Sequence, residues 1–452
     1  CYNTDSEPVT PCTIDGTGVG EFESIMPSLT SGVLYYVRAY AENGAGISYG
    51  DEKTFVTKPT FLVVPENRTW DNTNASVSIS TTGSGIVGIE HCWTLEDTCV
   101  PNIFEASLSV STEVISTGSW TLCYRSENVL EQKSEIFCTG PYEVDKVSPN
   151  VSASNSSETW YQSARTATIS AVDSHSGIDE VRYSWGTDTL GVDCTGGTVT
   201  SHGSILNVPE GDNILYLCAR DNANNVSTWN GIYRVDTTPP TAPTLDPVSH
   251  DWTNQNIVVT FSAEDLESGI ETYRYCSTTG SSCVPVDLGS SITLRANGEH
   301  MVCAQAQNGA GIWGTITCSD PGAYKIDKND PTAPTFDPVS HDWTNQNITV
   351  TFLSYDPESL IEGYRYCTTT DVSCTPTTSG GSVTLTMTGE HTVCAQAQNT
   401  AGVWSDVACT DQGAYKIDKV RPSTPSLDPV SQDWTADDIT VVVSNTIVYA
   451  GL

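Results

Sequence analysis

A Tyr, an Asp three residues later and a Pro four beyond it recur four times, as Tyr142/Asp145/Pro149, Tyr233/Asp236/Pro240, Tyr324/Asp327/Pro331 and Tyr415/Asp418/Pro422. The step is 91 residues each time. A period of that length, with the same residues at every seam, specifies a tandem array of small domains rather than one large core. Trp70, Trp160, Trp252, Trp343 and Trp434 keep the same beat, at intervals of 90, 92, 91 and 91. The text around the later ones is nearly copied, SHDWTNQNIVVTF from Ser249 and SHDWTNQNITVTF from Ser340. The repeats fall at 60–149, 150–240, 241–331 and 332–422, after a partial domain at 1–59 and before a truncated fifth repeat at 423–452. Each repeat Trp is expected to plug one end of its core, beside the seam Tyr.

Within 241–331, Ile257–Ser262 alternates apolar and polar residues and is rich in β-branched side chains, so it reads as a strand. Segments 270–276, 291–296, 299–307 and 323–327 read likewise, punctuated by Gly, Pro, Asn and Asp clusters. Six or seven short strands in about 90 residues specify a two-sheet Greek-key sandwich. The fold class is therefore all-β, a tandem array of Ig-like or fibronectin-like sandwiches. Against 55 Asp and Glu the chain sets only 19 Lys and Arg, a formal charge of −36. Such a surface repels nucleic acid and anionic membranes and attracts divalent cations, so nucleic acid is excluded as a partner. No apolar run has the length of a membrane span. The chain opens without Met inside one domain and stops inside another, and so reads as a segment of a longer protein.

Sixteen regularly spaced cysteines imply disulfides, hence an oxidising, extracellular setting at a cell surface or in secretion. Three repeats carry four each: Cys92/Cys99/Cys123/Cys138, Cys276/Cys283/Cys303/Cys318 and Cys367/Cys374/Cys394/Cys409. Repeat 150–240 keeps only Cys194 and Cys218, whose separation of 24 equals that of Cys99 and Cys123. On that match the outer two cysteines vanish together, Ser184 replacing the first. Nested pairing is the expectation: Cys92–Cys138, Cys99–Cys123, Cys194–Cys218, Cys276–Cys318, Cys283–Cys303, Cys367–Cys409 and Cys374–Cys394. Bridges closing loops of this kind contribute roughly 3–4 kcal/mol each in the chain-entropy account. Thiolate zinc sites favour shorter Cys–Cys spacings than the six intervening residues found here.

Tyr35, Tyr36, Arg38, Ala39, Gly46, Tyr49 and Gly50, within VLYYVRAYAENGAGISYGDEKTFV at 33–56, resemble the last two strands of a bacterial-type fibronectin type III domain. Related modules often hold a local cysteine pair near this position, so the resemblance implies a Cys1–Cys12 bridge. The later repeats resemble bacterial Ig-like repeats of surface proteins. Their marks are the seam Asp-x-x-x-Pro with Thr-Ala-Pro after it, the Ser-Gly-Ile turns at 176–178 and 268–270, and the Asn-x-Ala-Gly hairpins at 308–311 and 399–402. This resemblance covers most of 60–452 and implies architecture more than function, because such modules serve as stalks, spacers and enzyme accessories alike. The four-cysteine form departs from the usual cysteine-free repeat.

Enzymatic chemistry is not expected: residues stamped into every copy are structural, whereas catalysis needs one asymmetric constellation, and none of the seven His lies in a His-Glu-x-x-His run. No cofactor is implied apart from calcium. The stretch Asp327-Lys328-Asn329-Asp330-Pro331 resembles the calcium-binding linker of cadherins, and only its first Asp stands at all four seams. A second acidic column, Asp173, Asp265 and Asp356, lies 11 residues before the position of Cys276 and its equivalents, with Glu264, Glu267 and Glu358 nearby; the first repeat has Thr81 there. The candidate calcium ligands are thus Asp145, Asp173, Asp236, Asp265, Glu267, Asp327, Asp330, Asp356 and Asp418, with Asp265 and Glu267 expected to meet Asp327. Two readings stay open: a seam Asp that caps a turn, or one that holds a hard cation. Three functions follow: a disulfide-stapled, semi-rigid extracellular rod serving as stalk or adhesin; an array binding a surface or matrix protein or glycan by avidity through Tyr273, Tyr275, Tyr364 and Tyr366; or spacer modules of a secreted enzyme.

Overall fold

The computed structural model describes residues 1–428 and 438–445, so Trp434 lies outside the described residues. Every regular element among them is a β-strand. The chain divides into two compact units, Cys1–Asp236 and Thr237–Leu452.

The second unit shows the repeat in its plainest form. Thr244–Asp246, Ile257–Ser262 and Ser291–Leu294 make a three-stranded sheet. The facing sheet orders His250–Thr253, Tyr324–Ile326, Gly298–Asn308, Ile270–Thr278 and Asp287–Leu288, with Thr317–Cys318 also paired to Gly298–Asn308. Strict alternation explains how the sheets face each other: Ile257, Val259 and Phe261 are buried while Val258, Thr260 and Ser262 are exposed. A second sandwich of the same order follows, from Thr335–Asp337 to Tyr415–Ile417. In the first unit, a three-stranded sheet of Tyr2–Asn3, Leu34–Asn43 and Gly46–Val56 precedes two sandwiches of related topology. Their last full strands are Phe137–Val144 and Val226–Val235.

The centre of each sandwich is the seam tyrosine rather than the tryptophan. Tyr142, Tyr233, Tyr324 and Tyr415 are at most 2% exposed. Each hydroxyl donates to a backbone carbonyl near the start of its domain: Pro65 at 2.7 Å, Ser154 at 2.6 Å, Pro247 at 2.7 Å and Pro338 at 2.6 Å. Trp70, Trp160, Trp252 and Trp343 are only half-buried. They ride on short edge strands running parallel to the tyrosine's strand. An edge strand offers its side chains only partial cover, so these rings shield the sheet's rim. Tyr273 and Tyr275 pack on Phe261, and Tyr364 and Tyr366 on Phe352. They belong to the core margin.

All sixteen cysteines are bridged, and the nested pairing is overturned. The bonds join neighbours: Cys92–Cys99 and Cys123–Cys138, Cys276–Cys283 and Cys303–Cys318, Cys367–Cys374 and Cys394–Cys409. Cys1–Cys12 and Cys194–Cys218 are the remaining two. Sheet geometry forbids the outer pairs. Cys276 and Cys318 stand opposite Cys303 on the strands to either side of it. Two strand spacings are about 9.5 Å, beyond the roughly 7 Å that a disulfide spans between Cα atoms. The same holds for Cys92 and Cys138 around Cys123, and for Cys367 and Cys409 around Cys394.

Nor is Cys218 the counterpart of Cys123 or Cys303. Ser184 faces Tyr216, as Cys276 faces Cys303, whereas Cys218 faces Arg182, as Gln305 faces Arg274. Cys218 sits two residues further along the strand, so its bridge is a different one. The shared separation of 24 was a coincidence.

Peptide mapping without reduction should therefore recover Cys276 joined to Cys283 and Cys303 joined to Cys318; a Cys283–Cys303 peptide in untreated material would contradict this. Burial also pushes the four seam phenols up to about 12. An unfolded tyrosine ionises near pH 10, so the unfolded state loses its proton first and stability falls as pH rises from about 10 to about 12, by about 3 kcal/mol per domain. Tyr324→Phe should remove this slope for its own domain and cost about 1 kcal/mol at neutral pH, through the lost hydrogen bond. Chemical denaturation across pH reads both.

Candidate cation site at the domain seams

The seam Asp is the residue at which the parallel strand pairing ends. Its N–H continues the ladder, donating to Asp71 O (3.0 Å) from Asp145, to Thr253 O (2.9 Å) from Asp327 and to Thr344 O (2.9 Å) from Asp418. Because the backbone is held there, the carboxylate is drawn into the pole of the sandwich, and Asp145, Asp236 and Asp327 are fully buried. One oxygen accepts the N–H two residues on, from Val147, Asn329 or Val420, each at 2.9 Å. That is the turn-capping role. It occupies one oxygen; the other accepts from the following sandwich, from the Ser176 N–H in Asp145 and from the Ser359 hydroxyl and Asn399 amide in Asp327.

The second acidic column supplies the other half. Asp173 accepts from His175 and Gly177, Asp265 from Ser268 and Gly269, and Asp356 from Glu358 and Ser359. Each thereby closes the tight turn leading into the fourth strand of its domain. These turns lie at the pole where the chain enters the domain. The column therefore meets the seam before its own domain, not the one after it.

In the first unit, Asp145, Asp173 and Asp221 bring carboxylate oxygens within 4.8 Å of one another; in the second, Asp327, Asp356 and Glu358 do so. The expectation that Asp265 and Glu267 would meet Asp327 is corrected accordingly. Asp265 accepts from Asn308 (3.2 Å) and Glu267 from the Thr238 hydroxyl (3.4 Å), at the opposite pole. Asp330 is exposed and stands outside the Asp327 cluster, and Asp418 is half-buried.

The sequence reading missed a third contributor, the residue opening the last hairpin. Asn399, fully buried, donates its amide to Asp327 Oδ2, Asp356 Oδ2 and Asn329 O, each at 3.1 Å. Ser359 Oγ adds a 2.7 Å bond to Asp327 Oδ2. In the first unit Asp221 occupies the corresponding place, a third carboxylate, and Asn225 donates to both Asp221 Oδ2 (2.9 Å) and Asp145 O (2.8 Å). The signal is present in the Asn-x-Ala-Gly column, where 150–240 substitutes Asp221; as letters it marks only a hairpin.

Burial opposes the charge on Asp145, but N–H groups of Val147 and Ser176 outweigh it and hold its pKa below the usual carboxylate value. Asp356 behaves likewise, burial being outweighed by the Ser359 N–H and the Asn399 amide. Among the described residues no Lys or Arg forms an ion pair with either cluster, and His175 approaches Asp145 at 4.0 Å. An all-oxygen donor set with two fully buried carboxylates suits a hard divalent cation such as calcium. The seam between 1–59 and the first sandwich is different in kind. Thr81 is buried there, bonded to Thr60 O (2.9 Å), and the backbones of Gly32 and Gly83 meet so closely that a Cβ on Gly83 would lie 2.1 Å from Gly32 O.

The sequence does contain one catalytic spelling: Gly46-Ile-Ser48-Tyr-Gly50 has the letters of a nucleophile elbow. Ser48 lies inside the strand Gly46–Val56, opposite Ala41, without the strand-to-helix turn that motif requires.

No protein-family model matches the chain, and no curated protein sequence matches it. Among solved structures, the tetra-tandem repeat in the extending region of a large adhesion protein is 18% identical, covering 80% of this chain and 99% of that one at a TM-score of 0.27. Protocadherin gammaB7 EC3-6 is 11% identical over 79% of this chain and 99% of its own, at 0.32. Fibronectin(III)-like modules of Clostridium thermocellum CbhA are 12% identical over 39% of this chain and 94% of theirs, at 0.20. At these scores none of them bears on function.

Because Asp145 and Asp356 have depressed folded pKa values, their stabilisation is present above about pH 4 and is lost as pH falls through the folded values. The thermal midpoint in metal-free buffer should therefore drop steeply below pH 4. Asp356→Asn should flatten that drop and cost about 1–3 kcal/mol at pH 7, from donors left without an acceptor.

Proposed function

We propose that this chain is a non-catalytic segment of an extracellular stalk or adhesin, whose successive sandwiches are locked by calcium at their seams. The observation that carries the reading is the division of labour in each cluster. Asp145 and Asp327 end one domain, whereas Asp173 with Asp221, and Asp356 with Glu358, belong to the next. A cation held by both sides fixes the angle between two domains that otherwise share a short, Pro-containing connection. Without it, like charges face each other across the joint, so removal of the ion loosens the seam where a stalk must be stiff.

Eight bridges support an oxidising location, at a cell surface or in secretion. Among the described residues no helix is long and apolar enough to cross a membrane. The aromatic pairs that would have served a ligand-binding array pack on the core, which favours a mechanical role. A surface or matrix partner would be engaged elsewhere in such a protein.

Calcium added to EGTA-treated protein should raise the thermal midpoint and slow proteolysis at residues 146–149 and 328–331. Stabilisation grows as RT ln(1 + [L]/Kd), about 2.7 kcal/mol at a hundredfold excess over Kd. Asp145→Asn and Asp327→Asn should each blunt the response of their own seam. An unchanged midpoint and unchanged cleavage on adding calcium would remove the ion from the account.

A further inference from the structure

The neighbouring bridges of a repeat lie side by side. In 241–331 the sulfurs of Cys276, Cys283 and Cys303 all lie within 4.8 Å of one another, although they belong to two different disulfides. Cys367, Cys374 and Cys394 repeat the arrangement, and there the Cys374 N–H donates to Cys394 Sγ at 3.4 Å. Cys303 is the hub. It faces Cys276 across one strand pair and Cys318 across the other, and residues directly opposed in an antiparallel pair are within disulfide reach. Burial then separates the four cysteines into two classes. Cys276 and Cys303 are buried, at 8% and 0%, whereas Cys283 is half-buried and Cys318 exposed.

We propose that each such pair of bridges is an exchange-coupled redox device, in which reduction of either bridge ends in a single Cys276–Cys303 crosslink with Cys283 and Cys318 as free thiols. The reductant is a small dithiol. Its thiolate attacks the exposed Cys318 sulfur and expels Cys303 as thiolate; the second thiol of the reductant closes on the first and releases Cys318. Cys303 then attacks Cys276, breaking the Cys276–Cys283 bond and leaving the charge on Cys283. The alternative start gives the same product. Attack on Cys283 expels Cys276, which attacks Cys303 and expels Cys318. Two electrons enter, one disulfide is lost and two protons are taken up by the final thiolates.

The direction follows from solvation. A thiolate is costly in an apolar interior and cheaper at the surface, so exchange moves the free sulfurs from Cys276 and Cys303 to Cys283 and Cys318. The structural consequence falls at the seam. Cys318 tethers the far end of the segment 309–318 to the sheet, and that segment passes so close to Pro240 that a Cβ on Gly314 would come within 2.7 Å of the Pro240 carbonyl. Releasing Cys318 frees this strap from its anchor while a buried crosslink still holds the sandwich closed. This inference does not depend on calcium.

The full chain, treated with limiting dithiothreitol at pH 8, trapped with N-ethylmaleimide in acidic denaturant and peptide-mapped, provides the test. Species with one bridge lost should show a Cys276–Cys303 crosslink with maleimide on Cys283 and Cys318. Reduction by a phosphine at pH 3, where thiolates are scarce, should instead give maleimide on native pairs only. The variant Cys318→Ser, folded without any reductant, should carry its label on Cys283. The proposal is overturned if the pH 8 sample labels Cys276 with Cys283, or Cys303 with Cys318, while the other native bridge stays intact, or if Cys318→Ser is labelled at Cys303 alone. Cys194–Cys218, which has no neighbouring bridge, serves as the internal control and should show no exchange.

Discussion

The hydroxyl of the tyrosine in each last strand reaches back 77 residues, or 79 in the second sandwich, to a carbonyl near the start of its own domain. Nearly everything else in the repeat is arranged around that closure. The bond can form only when both sheets are packed, because the ring fills the space between them. A phenol with one buried partner is costly to leave unpaired, so the contact also fixes which stretch of chain begins the sandwich. Three residues beyond the ring comes the seam Asp, whose backbone is therefore positioned by the same packing. Core closure and joint geometry are in this way one structural event.

The crosslinks are placed on the other half of the same sheet. They do not brace one sheet against the other, as an inter-sheet bridge in an antibody-type sandwich does. Instead, Cys276–Cys283 ties a loop to its own strand and Cys303–Cys318 fastens a short added strand to the sheet's edge. Hydrophobic packing and the tyrosine hold the sandwich; the sulfurs hold the loops. That division explains how repeat 150–240 dispenses with the shared arrangement. Its sheet pairs Val226–Val235 continuously with residues 211–220, so no separate edge strand remains to be fastened.

Much of the fold was legible before any coordinates, because period and alternation are local properties of the text. The 91-residue step marks the repeats, and the BeBeBe burial of Ile257–Ser262 is the alternation seen directly. Half of the seam site was legible as well, since Asp145, Asp173, Asp327 and Asp356 stand out as acidic columns. The missing half was Asp221 and Asn399, polar residues at the head of a hairpin that looked like ordinary turn chemistry. Which pole a turn occupies is not written in its letters; for that reason the acidic column was assigned to the wrong seam.

What the sequence determined by itself was repetition: the number of seams, the alternating strands, the recurring tyrosine and aspartate columns and the surplus of negative charge. Only the tertiary structure decided adjacency. Cys276 and Cys318 are excluded as partners by the strand lying between them, and Cys218 is distinguished from Cys303 by a two-residue shift that equal spacing concealed. Asp356 is assigned to Asp327 by the pole at which a loop emerges. Distances along the chain constrain what is within reach, but strand order and register determine which residues face each other.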